Sequence, residues 1–203
     1  MPLGRRERNK LRVRERLYDA AVDLFTERGY DETSIDEIAE RADVARGTFF
    51  NHFQRKEDLL TAWGEKRRDA LLAGLAADRD GEDTAVGRLR RCMIALARMN
   101  EGHRQETNSL LMAWVRAGRP LLEDPYLAEL FATIAAAGLE SGEFRTGVGA
   151  ERIGHSLRDL YLGALYRWCG SPEKGEKEAA APDGLTTELL DILDLTLNGI
   201  RAA

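Results

Sequence analysis

The 203-residue sequence lacks what a membrane protein, a disulfide-stapled domain or a familiar enzyme would need. No apolar run approaches the roughly 18–20 residues of a membrane-spanning helix, so a membrane span is excluded. The opening "MPLGRRERNKLRVRER" is basic and has no apolar stretch behind it, unlike a secretory signal. There are two cysteines, Cys92 and Cys169, 77 positions apart, in no metal-binding or redox spacing. Both have apolar neighbours, so they read as buried thiols of a protein kept in a reducing cytoplasm. Histidines number three and form no evident base–nucleophile pair. G-x-x-x-x-G-K, G-x-G-x-x-G, G-x-S-x-G and H-E-x-x-H are all missing. The chain therefore gives no sign of catalysis, and no cofactor is expected.

A large cationic surplus is missing too. The net charge is −5, which argues against a protein that coats nucleic acid with its whole surface. The charge is unevenly spread. Met1 to Arg16 holds seven basic residues against Glu7 and Glu15, a net of +5, whereas from Asp69 onward 15 basic residues face 21 acidic ones, a net of −6. The cationic start is either a solvated tail or an arm that touches DNA.

Strand alternation is also absent, and helical periodicity fills the chain. Val13, Leu17, Ala20, Ala21, Leu24 and Phe25 make one apolar stripe, stopped by Gly29. Thr33, with Asp36 three residues on, is the expected cap of a short helix over roughly Ser34–Arg41. A second short helix is predicted near Ala45–His52, and a longer one from Arg55 or Lys56 to about Ala77. Further stripes follow in Val86–Ala97, Arg104–Ala117, Leu127–Ser141, Gly149–Gly170 and Gly184–Ala202. The polar "DRDGEDT" and "GRP" break the pattern, and "SPEKGEKEAAAP" (Ser171 to Pro182) has the composition of a mobile loop. The expected fold is all-α with about nine helices: a unit over 1–55 and a helical remainder over 56–203.

The informative phrase is "VARGTFFNHFQRKEDLL", Val44 to Leu60. Two short helices joined by a tight turn and backed by a longer one have the form of a helix-turn-helix. The tip of the second short helix must stay slim to enter a major groove about 12 Å wide. Arg46 is long enough to reach a guanine edge, Gly47 lets the backbone come close, and Thr48 suits a thymine methyl or a phosphate. Phe49 and Phe53, four apart, point into the core, while Phe50 and His52 point toward the rim. Lys56 adds a cation beside helix-start amides that already favour an anion.

Over Ala20–Leu60, "AAVDLFTERGYDETSIDEIAERADVARGTFFNHFQRKEDLL", the sequence strongly resembles the TetR family of bacterial transcription regulators, almost position for position. The remainder is similar only in helix order and in "GEFR…LRDLYLGALYRW". The resemblance implies an N-terminal three-helix DNA-binding domain and a C-terminal helical domain for ligand binding and dimerisation. It implies DNA contacts from Thr33, Ser34, Arg46, Gly47, Thr48, Phe50, Asn51 and His52, with Lys56 on a phosphate. Two positions depart from the family pattern: Phe50 stands where tyrosine is usual, and Asp43 where glycine is common in the turn.

One helix-turn-helix reads few base pairs, so a homodimer addressing two half-sites on double-stranded operator DNA is expected. The resemblance puts the dimer face on the last two helices, with Tyr161, Leu162, Leu165, Leu189, Ile192, Leu193 and Thr196 as candidates. It also implies a pocket for a small-molecule effector of unknown identity. Its candidate lining is Met93, Leu96, Met112, Trp114, Phe131, Ile134 and Leu157, residue types that are more often plain core. A repressor released by its ligand is the default, and activation the other sign. Two alternatives stand beside it: a helical adaptor without DNA binding, and a metal-responsive regulator using Glu151, His155 and Asp159, or His103 between Glu101 and Glu106.

Overall fold

The computed structural model describes residues 4–77, 83–116, 126–144, 147–170 and 184–200. They comprise nine helices and no strand: α1 (Arg5–Arg28), α2 (Ile35–Arg41), α3 (Arg46–Phe50), α4 (Glu57–Ala77), α5 (Ala85–Glu101), α6 (Arg104–Arg116), α7 (Tyr126–Glu140), α8 (Ala150–Gly170) and α9 (Leu185–Ile200). The all-α expectation holds, and the helices fall where the apolar periods put them. The predicted breaks at 78–82 and 118–120 and the loop at 171–182 lie outside the described residues.

The chain separates into two compact units. The first comprises Met1–Arg67 with Gln105–Arg119, and the second Arg68–Arg104 with Pro120–Ala203. Side-chain packing shows why α6 sides with the first. The indole N–H of Trp63 donates to Glu106 at 2.8 Å, and Trp114 meets Trp63 edge to face at 6.3 Å between centroids. Arg116 pairs with Asp31 at 2.7 Å.

Within the first unit, Leu17, Ala21, Leu24 and Phe25 of α1 are buried with Ile38 and Ala39 of α2, Phe49 of α3, Phe53, and Leu59, Leu60 and Trp63 of α4. Each large apolar side chain removed from water contributes about 1.5–3 kcal/mol. Gly29 closes α1 at φ 90°, its amide donating to Phe25 O at 2.9 Å. The cap of α2 is Ser34, not Thr33. Its hydroxyl accepts from the Glu37 amide at 3.2 Å, while the Glu37 carboxylate accepts from the Ser34 amide at 2.9 Å.

In the second unit α7 packs along α8, and α5 lies against both α7 and α9. At Gly154 of α8, any Cβ would overlap the carbonyl oxygen of Ala128 on α7, so this approach needs glycine. Both oxygens of Glu143 accept from the first amides of α5, Ala85 at 2.8 Å and Val86 at 3.0 Å, satisfying donors that a helix start leaves unpaired. Glu101 does the same for α9 at the Thr186 amide, 2.9 Å. Cys92 and Cys169 are buried and unbridged, and burial pushes the Cys92 thiol up to about 11.

Two expectations about this unit need correction. Tyr161, Leu165, Leu189 and Leu193 are at most 4% exposed, packed inside the protomer and unavailable to a partner. The strongest 3–4 period on a helix marks the face it buries first, and a second interface must use an offset face. The outward side of α8 carries Tyr166, 50% exposed, beside half-buried Leu162, and that of α9 carries Leu195, 76% exposed, beside half-buried Ile192 and Thr196. The effector-pocket candidates do not form one set either. Met93, Leu96, Phe131, Ile134 and Leu157 are packed as core of the second unit, whereas Trp114 stacks on Trp63 in the first and Met112 belongs with it.

Candidate nucleic-acid interface

The turn between α2 and α3 is held by contacts from α1. Asp43, where glycine is the commoner choice, adopts φ 50°, a left-handed conformation that a short polar residue tolerates. The Arg16 guanidinium spans this corner, donating to the carbonyl of Ala42 and, at 3.0 Å, to that of Asp43. Arg14 donates to His52 O at 2.9 Å and lies 4.3 Å over the Phe53 ring. Arg16 therefore braces the turn that leads into α3, and Arg14 the segment that leaves it.

With Phe49 fully buried, α3 turns the opposite side outward. Arg46, Gly47, Phe50 and Asn51 are exposed, and Thr48 and His52 half so. A Cβ on Gly47 would meet nothing within 4 Å, so the fold itself does not require glycine there. Arg46 opens α3 and reaches sideways, its Nη1 2.7 and 2.6 Å from the carboxylate oxygens of Asp36 on α2. It also stands 5.9 Å from the Phe50 ring centre. Burial first, then Lys10 and Arg14, lower the pKa of His52, and its buried Nδ1 has no hydrogen-bond partner among the described residues.

Three of the nine expected contact residues do other work. Thr33 is 2% exposed and donates its hydroxyl to Gly29 O at 2.8 Å, tying the loop to the end of α1. A side chain so placed cannot reach DNA. Ser34 stays exposed but spends its hydroxyl on Glu37 at 2.8 Å. Lys56 is half-buried, donating to Tyr30 O at 2.7 Å and Thr33 O at 2.9 Å over the Tyr30 ring. It is first a tether of the α1–α2 loop, leaving one of its three N–H groups uncommitted. Asp36, Arg14 and Arg16 were missed by sequence reasoning. Their partners are distant in sequence, and no local pattern gives them away.

No metal set is formed at the positions considered. Among the described residues no group of three or more His, Cys, Asp or Glu is placed to hold an ion. His155 Nδ1 instead lies 2.8 Å from the Glu151 carbonyl, and Asp159 takes Arg158 at 2.7 Å.

A short exposed helix presented by a braced turn defines the class: a helix-turn-helix regulator. The family model for bacterial regulatory proteins of the tetR family matches residues 17–63, which run from the core of α1 through α3 into α4. FadR of Thermus thermophilus, a TetR-family transcriptional repressor solved with lauroyl-CoA, is 31% identical. That match covers 94% of this chain and 97% of that one, with a TM-score of 0.65. The chain belongs to the TetR family. Among curated relatives, the regulator TcmR of Streptomyces glaucescens is 32% identical over 114 residues, 56% of this chain and only half of that protein. The fatty acid metabolism regulator protein of Bacillus subtilis is 24% identical, over 91% of this chain and 94% of its own length.

Proposed function

We propose that the protein is a cytoplasmic, homodimeric, ligand-responsive repressor that binds double-stranded operator DNA. The observation that carries this reading is α3: one face fixes Phe49 in the core, and the other offers Arg46, Gly47, Thr48 and Asn51 together. Arg46 reads a guanine edge, and Phe50, Asn51 and His52 address the rim. Lys56 and Ser34 support the interface more by holding their loop than by direct contact. The dimer is built on the outward face of α8 and α9, around Leu162, Tyr166, Ile192, Leu195 and Thr196. The regulators among its relatives make an enzyme the weaker class. A metal-responsive variant has no assembled ligand set to draw on among the described residues.

For the effector we propose a fatty acyl thioester of coenzyme A as the first class to test. The two fatty-acid regulators that align along nearly its whole length support it. So does the apolar character of the second unit's interior, where Met93, Leu96, Phe131, Ile134 and Leu157 are buried. A ligand that fits one arrangement of the dimer better lowers DNA affinity by a coupling energy of about 1–3 kcal/mol.

The test begins with selection of duplexes from a random pool by the full chain, followed by titration of the winning duplex with lauroyl-CoA and with coenzyme A alone. Release by the acyl thioester only supports the reading. Enrichment of a sequence without release removes the ligand class, and no enrichment removes the regulator.

A further inference from the structure

The first two turns of α1 contribute nothing to the core. Every residue from Gly4 to Arg12 is exposed, yet the chain is helical from Arg5 onward. Six of the seven cations of this arm, all but Arg8, fall into two sets. Arg14 and Arg16 are engaged with the backbone of His52, Ala42 and Asp43. Arg5, Arg6, Lys10 and Arg12 make no hydrogen bond or ion pair among the described residues.

Arg6 and Lys10 are one turn apart, about 6 Å along the helix axis. With Glu7 they form one wall of an open groove of about 650 Å³ whose other wall is Thr48, Asn51 and His52 of the α3 region. The groove is thus continuous with the exposed face of α3. Its charged groups are Arg6, Lys10 and Glu7, with Arg14 behind His52, so cations outnumber the single carboxylate. Burial disfavours protonation of His52, and the nearby Lys10 and Arg14 add to that effect. Partnerless cations held at fixed spacing by a helix, beside a recognition element, match a polymer that carries anions at regular intervals. Duplex DNA carries one charge per about 1.7 Å of its axis.

We propose that this groove is a second DNA-contacting surface, in which Arg6 and Lys10 grip the phosphate backbone flanking the base pairs that α3 reads. Asn51 and His52 donate to the same strand from the opposite wall. The proposal rests on the reading of α3 as the recognition helix. The arm then serves to position the protein, because phosphate contacts fix register and add affinity without reading sequence.

The full chain and an Arg6→Ala/Lys10→Ala variant are compared on a duplex that the full chain has selected from a random pool, at several salt concentrations. An Arg98→Ala/Arg152→Ala variant removes the same charge from exposed sites on α5 and α8. The arm variant is expected to bind about tenfold more weakly at low salt, with the slope of log K against log salt shallower by about 1.8. Its selected base preferences stay those of the full chain, and the α5/α8 variant matches the full chain throughout. Unchanged affinity and slope in the arm variant would overturn the proposal while leaving the regulator intact. So would an equal loss from the α5/α8 variant, which would reduce the effect to net charge. Altered base preference would overturn it as well, by placing the arm on base edges. If the full chain enriches no duplex, the recognition-helix reading itself has failed.

Discussion

Asp36 on α2 and Arg46 on α3 are ten residues apart in sequence, and both Asp36 carboxylate oxygens lie within hydrogen-bond reach of Arg46 Nη1. Both side chains are about 60% exposed, so the pair contributes little to stability, on the order of 0–1 kcal/mol. Its consequence lies in aim. An unrestrained arginine samples many directions, whereas one held at its tip presents the remaining N–H groups along a narrower cone. A carboxylate also opposes any polyanion brought to it.

Asp36→Ala is therefore expected to raise affinity for unrelated duplexes through loss of one negative charge, and to blur the base preference set by Arg46. Selection from a random pool, run on the full chain and the variant, reads both effects. Arg46→Ala should blur the same position, at a cost of about 1–3 kcal/mol. A variant that keeps the full chain's base preferences would show that Asp36 does not aim Arg46.

Gly47 separates the needs of the fold from those of DNA. Nothing lies within 4 Å of the Cβ it lacks, and it sits on a helix, where alanine is favoured by up to about 1 kcal/mol. Gly47→Ala should leave thermal stability equal or slightly higher. DNA affinity should fall, because the added methyl enters the space the duplex backbone needs. A melting curve and a binding isotherm on the same sample check the pair of outcomes. Undiminished binding would remove the close approach assigned to this turn of α3.

His52 predicts a pH dependence with a definite sign. Burial, Lys10 and Arg14 lower its pKa in the free protein, while Glu7 and Arg6 line the same groove. In the unfolded chain it returns to its ordinary value near 6.5. The unfolded state therefore binds more protons as pH falls through that value, and stability drops until the lower folded-state pKa is passed. DNA reverses the sign for binding. A phosphate in the groove offsets the two cations and favours the imidazolium, so affinity should rise as pH falls below about 7. His52→Gln should flatten both trends. Opposed slopes in a pH series of melting and binding support this geometry, and a flat binding profile contradicts it.

These residues also show what was legible in the chain. Helix positions were readable because burial repeats every three to four residues, as in Leu17–Phe25 and Ile153–Trp168. The cap of α2 was misassigned by one residue because Thr33 and Ser34 each have an acid three positions on. Reach decides between them: the longer Glu37 folds back to the Ser34 amide, while Asp36 turns away to Arg46. Lys56 was placed correctly at the foot of α4, but its hold on the carbonyls of Tyr30 and Thr33 comes only with the folded loop. The outward face of α8 was legible only in part: half-buried Leu162 was among the candidates, but so were the buried Tyr161 and Leu165. Its apolar residues are fewer than those of the buried stripe, so the period points inward.

Packing between α7 and α8 gives a prediction free of any ligand. Gly154→Ala would drive a methyl group into the backbone of α7 at Ala128 and Ala132, and backbone cannot rotate aside as a side chain can. Destabilisation of about 1–3 kcal/mol is expected, partly offset by alanine's helix propensity. Gly74→Ala on α4, where a Cβ meets nothing within 4 Å, serves as the comparison and should be neutral or stabilising. Equal melting of the two variants would mean that α7 and α8 are further apart than described.

Leu195 and Leu193 test the proposed dimer face. They are two residues apart on α9, yet Leu193 is fully buried and Leu195 is 76% exposed. A charge at Leu193 meets the core of the protomer, so Leu193→Glu should unfold the second unit or leave it with no cooperative melting transition. A charge at Leu195 meets only solvent in a single chain, so Leu195→Glu should melt as the unaltered protein does when dilute. In a dimer the same glutamates would be desolvated against the facing α8 and α9, about the exposed Tyr166. Sedimentation should then report a folded monomer, with operator affinity reduced because each half-site is bound alone. A Leu195→Glu protein that still sediments as a dimer would move the interface off this face.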